Sequence, residues 1–227
     1  MASHFTNAMT LLHQQFLNLC TIVEEDLGDA IKAIETLDKP LAEAVKIRDD
    51  EIDSREIEIE EECLKVLALY RPVASDLRYI VTLLKINSDL ERIGDLSVSI
   101  AKRVIYLSKH NLLNSTFHYP VMAEKAKLML RKSIDAFVQK EPELAKEVCQ
   151  MDDDMDALRK KRIKALLKLM ADNPDQSDAI SQYVSITRNL ERIADHATNI
   201  AEDVIYMTEG NIIRHRRKQV EPAAPAV

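Results

Sequence analysis

The feature that most restricts the fold of this chain is an internal duplication. The segment 90–95 recurs as 190–195 and differs only where Gly94 becomes Ala194, and the segment 104–106 recurs as 204–206 at the same offset of 100 residues. Further upstream, the acidic segment 49–53 is echoed by 152–156 at an offset of 103. Self-similarity over this length indicates that one structural unit has been copied. We therefore predict two similar halves.

Each half reads as three long helices. Apolar residues recur at three-and-four spacing between punctuating prolines at positions 40, 72, 120, 142 and 174. The connections are short, which makes successive helices antiparallel neighbours. The predicted fold class is all-α, with two tandem antiparallel three-helix bundles at about 1–112 and 113–213 and a basic, then Pro/Ala-rich tail at 214–227. The predicted helices are 5–37, 40–70, 74–109, 120–140, 143–171 and 176–213.

The composition excludes several classes of protein. Only 3 glycines and 4% aromatic residues are present, too few for a β-sandwich or for glycine-rich nucleotide-binding loops. The 38 acidic residues outnumber 31 basic ones, for a net charge of −7, which argues against duplex nucleic acid as a partner. We find no signal peptide and no uninterrupted apolar membrane segment. A cytoplasmic protein that does not insert into the membrane is expected.

Acidic pairs four residues apart carry the chemistry of this sequence. Residues at i and i+4 lie on the same face of a helix, so each pair directs two carboxylates the same way. Like charges placed so cost about 0.2–0.5 kcal/mol per pair even in water, and something must offset that cost. The four pairs are Asp49 with Asp53, Glu91 with Asp95, Asp152 with Asp156, and Glu191 with Asp195.

Several of these acids fall on positions that helical periodicity reserves for the core. In the second helix, Asp49 and Glu56 interrupt an apolar stripe, and in the third helix Glu91 lies on an apolar arc with Asp95 at its edge. Antiparallel packing brings the two pairs of each half together. Four hard oxygen donors suit Mg²⁺, Mn²⁺, Ca²⁺ or iron. We predict metal binding at all eight acids, with Zn²⁺ and Fe³⁺ among the candidate ions.

Two alternatives remain open beside metal binding by a regulator. The acids can form a solvated face neutralised by nearby lysines, or the same clusters can serve a metal-storage protein or a metallohydrolase. Ferritin-like di-iron bundles need Glu-x-x-His, which no histidine of this chain completes. Catalysis also needs a nucleophile or base beside the metal, and none occurs at matching places in both halves. We therefore do not expect an enzyme.

The repeated segments 90–95 and 189–202 resemble the PhoU family of phosphate-uptake regulators, and the resemblance covers roughly residues 5–213. It implies a fold of two three-helix bundles whose E/D-x-x-x-D motifs bind metal ions or clusters. By resemblance, the metal ligands here are the following acids: Asp49, Asp53, Glu91, Asp95, Asp152, Asp156, Glu191 and Asp195.

The resemblance also implies a role and partners. Family members act in the cytoplasm as negative regulators of phosphate uptake, and they contact the ATPase subunit of the phosphate ABC transporter and a sensor histidine kinase. Peripheral association through these partners is implied. Because the duplication gives each chain two similar faces, we also expect a homodimer.

The two halves differ within this motif, and the difference leads to a further expectation. His196, Asn199 and Glu202 follow the second motif, whereas Leu96, Ser99 and Lys102 follow the first. The family form is the one in the second half. We accordingly predict that the second half binds metal more strongly than the first.

Overall fold

The computed structural model describes residues 2–109 and 119–210, and across these residues it contains six long helices and no β-strand. A single turn of 3-10 helix, Pro174–Gln176, precedes the last helix. The all-α prediction is confirmed. The helices are α1 (Ala2–Thr36), α2 (Lys39–Tyr70), α3 (Ala74–Leu107), α4 (Pro120–Gln139), α5 (Pro142–Asp172) and α6 (Ser177–Glu209).

Local chemistry explains where the helices begin and end. Asp38 caps α2, since its carboxylate accepts a hydrogen bond of 3.0 Å from the backbone N–H of Leu41. Arg71 and Lys140 end α2 and α4 in the left-handed conformation, with φ of 48° and 54°. Gly210, with φ of 74°, ends α6, so that helix ends at Glu209 rather than at 213. The predicted boundary between the halves at 112/113 and the predicted tail at 214–227 lie outside the described residues.

Within each half every helix packs against the other two, which confirms the two three-helix bundles. The bundles also pack against each other, chiefly through α3 and α6 and to a lesser extent through α1 and α4. Phe137 of α4 joins the halves. Its ring meets that of Phe16 of α1 edge-on, with 4.9 Å between the ring centroids, and stacks on the ring of Tyr79 of α3, with 5.3 Å between the centroids. The apolar core is therefore continuous across both bundles.

Polar contacts between α3 and α6 follow the symmetry of the duplication. Asp89 of α3 accepts hydrogen bonds from His196 at 2.8 Å and from Asn199 at 3.3 Å on α6. The exchanged contact joins Asn189 of α6 to Ser99 of α3 at 2.9 Å, and positions 189 and 99 are the repeat counterparts of 89 and 199. This pair of contacts is therefore pseudo-symmetric, with the charged Asp89 at one position and the neutral Asn189 at its repeat counterpart.

A close approach of two helices places the first acidic pairs beside each other. A Cβ atom at Gly94 of α3 would lie 3.0 Å from Cδ1 of Ile52 on α2, which is tighter than ordinary van der Waals contact. The second bundle has Ala194 and Met155 at the equivalent positions, both buried. An unbranched methionine adapts to the extra methyl group. Each half thus keeps its helices close with a different pair of residues.

Candidate metal centre

The four predicted acids of the first bundle come together where α2 and α3 run antiparallel. Asp53 and Asp95 are exposed, whereas Asp49 and Glu91 are half-buried. Partial burial, followed by the charges of Asp53 and Asp95, raises the pKa of Asp49, and Lys102 opposes this shift. Burial, followed by Asp95, raises the pKa of Glu91. The predicted convergence of the two acidic pairs is thus present in the first half as a shared field of negative charge.

A fifth acid, Glu56, belongs to this first cluster. Burial and the charges of Glu60 and Asp53 raise its pKa, and Glu56 in turn adds to the charge felt by Glu91. Arg92 is the cation nearest to this part of the cluster, with Nε 3.3 Å from Glu91 Oε2 and Nη1 3.1 Å from Asp95 Oδ2. Glu56 interrupts the apolar stripe of α2, and this position in the sequence already indicated that its side chain faces α3.

The four predicted acids of the second bundle also come together, between α5 and α6. Burial, followed by the charges of Glu191, Asp152 and Asp156, raises the pKa of Asp195 to about 6. Burial raises the pKa of Glu191 as well, and Asp156 and Asp152 contribute to that shift. Asp195 is nonetheless reached by water, so a hydrated ion has access to it. Mutual repulsion among four acids is the common feature of both clusters.

Protein groups partly neutralise the second cluster. Arg159 of α5 extends its guanidinium between two acids, with Nε 3.0 Å from Glu191 Oε1 and Nη2 3.5 Å from Asp156 Oδ1. Lys160 lies 3.4 Å from Asp156. Thr198 of α6 donates a hydrogen bond of 3.2 Å to Oδ1 of Asp152. A cationic group therefore already bridges α5 and α6 at one end of the cluster.

The residues present fit a hard cation in their chemistry. Each cluster supplies four carboxylates, which hard cations prefer, and a bound positive charge would relieve the repulsion that raises their pKa values. The guanidinium of Arg159 stands where a cation would be stabilised. In the described part of the chain, however, no three acid, histidine or cysteine side chains are gathered around one point as metal ligands. The clusters therefore offer the donors without a preformed coordination shell.

Three residues that the sequence analysis grouped with the metal motifs do not face the acidic clusters. His196 and Asn199 bind Asp89 across the α3–α6 interface, and Ser99 binds Asn189 at the other end of that interface. Adjacent residues on a helix point about 100° apart, so His196 faces α3 while Asp195 faces α5. Three sequence differences predicted weaker metal binding in the first half. Only one of them, Lys102 in the first half where the second has Glu202, still applies to the acidic clusters.

Two buried acids were not predicted from the sequence, Asp26 of α1 and Asp203 of α6, whose Oδ1 lies 3.3 Å from Nζ of Lys85 on α3. Asp26 of α1 is 0% exposed, and burial raises its pKa to about 7 despite the nearby charge of Arg48. Arg48 Nε lies 3.5 Å from Asp26 Oδ1, and its Nη2 binds Asp29. Asp26 falls on the apolar face of α1, between the buried Val23 and Ala30, so periodicity alone contained the signal. Burial away from water raises the free energy of the ionised form of Asp26.

Comparisons with known proteins agree with this architecture. The PhoU domain model matches residues 16–104 and again 120–204, one match for each bundle. The crystal structure of PhoU from Pseudomonas aeruginosa superposes with a TM-score of 0.88 at 34% identity and covers 91% of this chain and 100% of its own. The crystal structure of the phosphate transport system regulatory protein PhoU from Streptococcus pneumoniae superposes with a TM-score of 0.82 at 32% identity. It covers 92% of this chain and 98% of its own.

Relatives known from sequence cover the chain equally well. The phosphate-specific transport system accessory protein PhoU homolog of Clostridium acetobutylicum is 35% identical over 91% of this chain and 94% of its own length. The phosphate-specific transport system accessory protein PhoU homolog 1 of Thermotoga maritima is 34% identical over 96% of this chain and 94% of its own length. Both halves, both bundles and nearly the full length of the relatives are matched, and the chain therefore belongs to the PhoU family.

Proposed function

We propose that this protein regulates phosphate transport as a cytoplasmic accessory protein that restrains phosphate uptake and phosphate-responsive signalling. The observation that carries the proposal is family membership over nearly the whole chain, since its relatives are named accessory proteins of phosphate-specific transport systems. No helix in the described ranges combines the length and the apolar character needed to cross a membrane. In this proposal the protein contacts the transporter by docking onto it.

The partners that we propose are the ATPase subunit of the phosphate ABC transporter, a sensor histidine kinase and a second copy of this chain. These contacts are regulatory, and no catalytic role is assigned to the protein. The acidic clusters would hold divalent or ferric cations through the eight carboxylates named above. A bound cation supplies positive charge that draws α2 to α3 and α5 to α6, and this would set the shape of the surface that the partners meet.

Cation binding is tested by thermal melting of protein stripped with EDTA. Ions that bind only the folded state stabilise it by mass action. At about one hundred times its Kd, an ion adds about 2.7 kcal/mol, which for a chain of this size corresponds to a rise in Tm of about 5–10 °C. We expect such a rise with at least one of Mg²⁺, Mn²⁺, Zn²⁺ and Fe³⁺.

The matched variants for this test come from the second bundle. Asp195→Asn should leave the metal-free Tm unchanged or raise it, because a crowded charge is removed, and should reduce the shift on adding metal. Asp153→Asn, an exposed acid on α5, serves as control and should behave like the unmodified chain. Equal melting with and without every ion would leave a solvated acidic face as the better explanation.

The regulatory role is tested by affinity capture of the tagged chain from cells grown with abundant and with scarce phosphate. We expect recovery of the transporter ATPase and the sensor kinase, and loss of both with a variant in which all eight acids are neutralised. Absence of both partners in every condition, together with unchanged phosphate-responsive expression after deletion, would contradict the proposal. Turnover of a phosphomonoester that is lost in Asp195→Asn would favour a metallohydrolase instead.

A further inference from the structure

The outward face of α2 carries apolar side chains that stay exposed in the described chain. Ile47, Ile57 and Leu64 are 74%, 55% and 53% exposed. Spacings of three and four residues place them on one side of the helix together with the exposed Ala68, and the buried residues of α2 lie on the other side. These four residues form the outer stripe of α2. Exposed apolar surface with a polar rim is typical of a site that binds another protein.

The rim of this outer stripe is acidic. Between positions 56 and 64, α2 has five glutamates and no lysine or arginine. Glu58 and Glu61 are exposed beside the stripe. Glu58 lies 4.0 Å from Arg55 one turn away on its own helix, and Glu61 takes part in no ion pair with the other described residues. The outer stripe of α2 therefore favours a partner with basic side chains.

The equivalent face of α5 has the same spacing and the opposite charge. At the repeat offset of 103, the outer stripe of α5 consists of four exposed residues: Lys160, Lys164, Leu167 and Ala171. Leu167 is 53% exposed, like its counterpart Leu64. Lysines at 161 and 164 stand where α2 has Glu58 and Glu61, and α5 has six lysines or arginines and no acid between 157 and 171. The two stripes therefore agree in their apolar positions and are opposite in charge.

The two outer stripes cannot meet within one chain. Among the described residues, α2 contacts α1 and α3, α5 contacts α4, α6 and the 3-10 turn, and α2 and α5 do not touch. An anionic surface would attract α5 but would be repelled by α2. A second copy of this chain offers each stripe the opposite charge together with a matching apolar surface.

We propose that the outer stripe of α2 in one copy of this chain packs against the outer stripe of α5 in a second copy. In this contact the exposed glutamates of α2 face the exposed lysines of α5. Charges beside an apolar helix seam select the partner helix, as they do in coiled coils. Glu61 lies about 120° around α2 from Asp49, so the contact leaves Asp49 facing α3. The inference rests on the self-association proposed above, and it adds the two faces that form it.

The test is sedimentation velocity of the full-length chain over a range of concentrations, in EDTA so that no cation bridges two copies. Glu58→Lys with Glu61→Lys makes both stripes basic and should weaken self-association about ten-fold, because two attractions become repulsions. Lys161→Glu with Lys164→Glu makes both stripes acidic and should weaken it to a similar extent. An equal mixture of the two variants should associate again, which misfolded chains would not do.

Matched controls separate these faces from net charge and from apolar surface in general. Glu35→Lys with Glu124→Lys makes the same change of net charge at exposed positions of α1 and α4, and it should associate like the unmodified chain. Leu64→Gln should weaken self-association, whereas Leu128→Gln, also exposed but on α4, should not. Melting curves in EDTA verify that each variant is folded.

The outcomes distinguish this inference from the proposed function. A monomer at every concentration would overturn both the contact and the proposed homodimer, while capture of the transporter ATPase and the kinase would still support the regulatory role. Self-association that the charge variants leave unchanged, or that does not return in the mixture, would overturn the assignment of the faces alone. Loss of the captured partners without loss of self-association would assign the stripes to those partners instead.

Discussion

The two acidic clusters each hold four acids at matching positions but differ in the charges around them. The first holds Glu56 and Lys102 and the second holds Arg159 and Glu202 at the matching positions. The acidic pairs kept their spacing because four residues on a helix define one face. The neutralising groups differ because a compensating charge can come from either helix and from either end. A duplicated site can therefore keep its donors while the position of its excess charge moves.

A second difference lies on the first helix of each bundle. The α1 helix buries the carboxylate of Asp26, whereas all the buried residues of α4 are uncharged. Burial of Asp26 beside Arg48 therefore adds an acid to the first helix of the first half that α4 does not repeat, whereas the buried acid of the second half, Asp203, lies on α6 beside Lys85 of α3. The pH dependence that Asp26 contributes should accordingly belong to the first bundle.

The largest expected effect is the pH dependence that Asp26 contributes. Its pKa is about 7 in the folded chain and 3.8 in the reference state, so the folded state binds the proton more tightly. Stability from this group is therefore greatest below about pH 4, is lost as the pH rises from about 4 to about 7, by up to about 4 kcal/mol, and is level above that range. Asp26→Asn should remove this part of the loss between about pH 4 and 7.5, as measured by urea unfolding.

The control for Asp26 is another acid of the first bundle. Asp50→Asn changes an exposed carboxylate on α2 and should keep the pH dependence of the unmodified chain. The raised pKa values of Asp49, Glu91 and Asp195 act in the same direction, so a residual slope is expected in Asp26→Asn. Identical slopes for the two variants would show that Asp26 is not the difference between the bundles.

The next largest effect compares the two ends of the α3–α6 interface. Asp89→Ala removes the charged acceptor of His196 and Asn199 and should lower the free energy of unfolding by about 2 kcal/mol, while Ser99→Ala should cost about 1 kcal/mol. The larger loss is expected at Asp89 because hydrogen bonds to a charged group are stronger. Chemical unfolding of both variants at one pH checks the order. Equal losses would mean that the charge at this end adds nothing.

The smallest effect concerns the close helix contact beside the acids. Gly94→Ala forces a methyl group against Ile52, which costs about 1–3 kcal/mol, and alanine returns about 1 kcal/mol of helix propensity. A net loss of about 1 kcal/mol is expected. Adding Ile52→Met recreates the pair found in the second bundle and should recover it. If the double variant is no more stable than Gly94→Ala, the two pairs are not equivalent solutions.

The sequence by itself determined the features that can be read from a local pattern or a repeat along the chain. Helix positions, proline boundaries and the spacing of acids at i and i+4 depend on residues a few positions apart, and the duplication is visible as repeated sequence. The six helices and the two bundles were confirmed, although the last helix ends at Glu209 rather than at 213. The convergence of Asp49 with Asp95 and of Asp152 with Asp195 followed from antiparallel neighbours, which short connections require. Binding of a metal by these acids remains a prediction.

Only the tertiary structure decided which neighbour each helix face meets. The α3 and α6 helices pack against two helices of their own bundle and also against each other, and periodicity does not say which apolar or polar arc meets which partner. His196 therefore looked like an extension of the acidic motif, although it binds Asp89 of the other half. The roles of Arg159 and Asp26 depend in the same way on a second helix, because burial and charge compensation arise between segments that are distant in the chain.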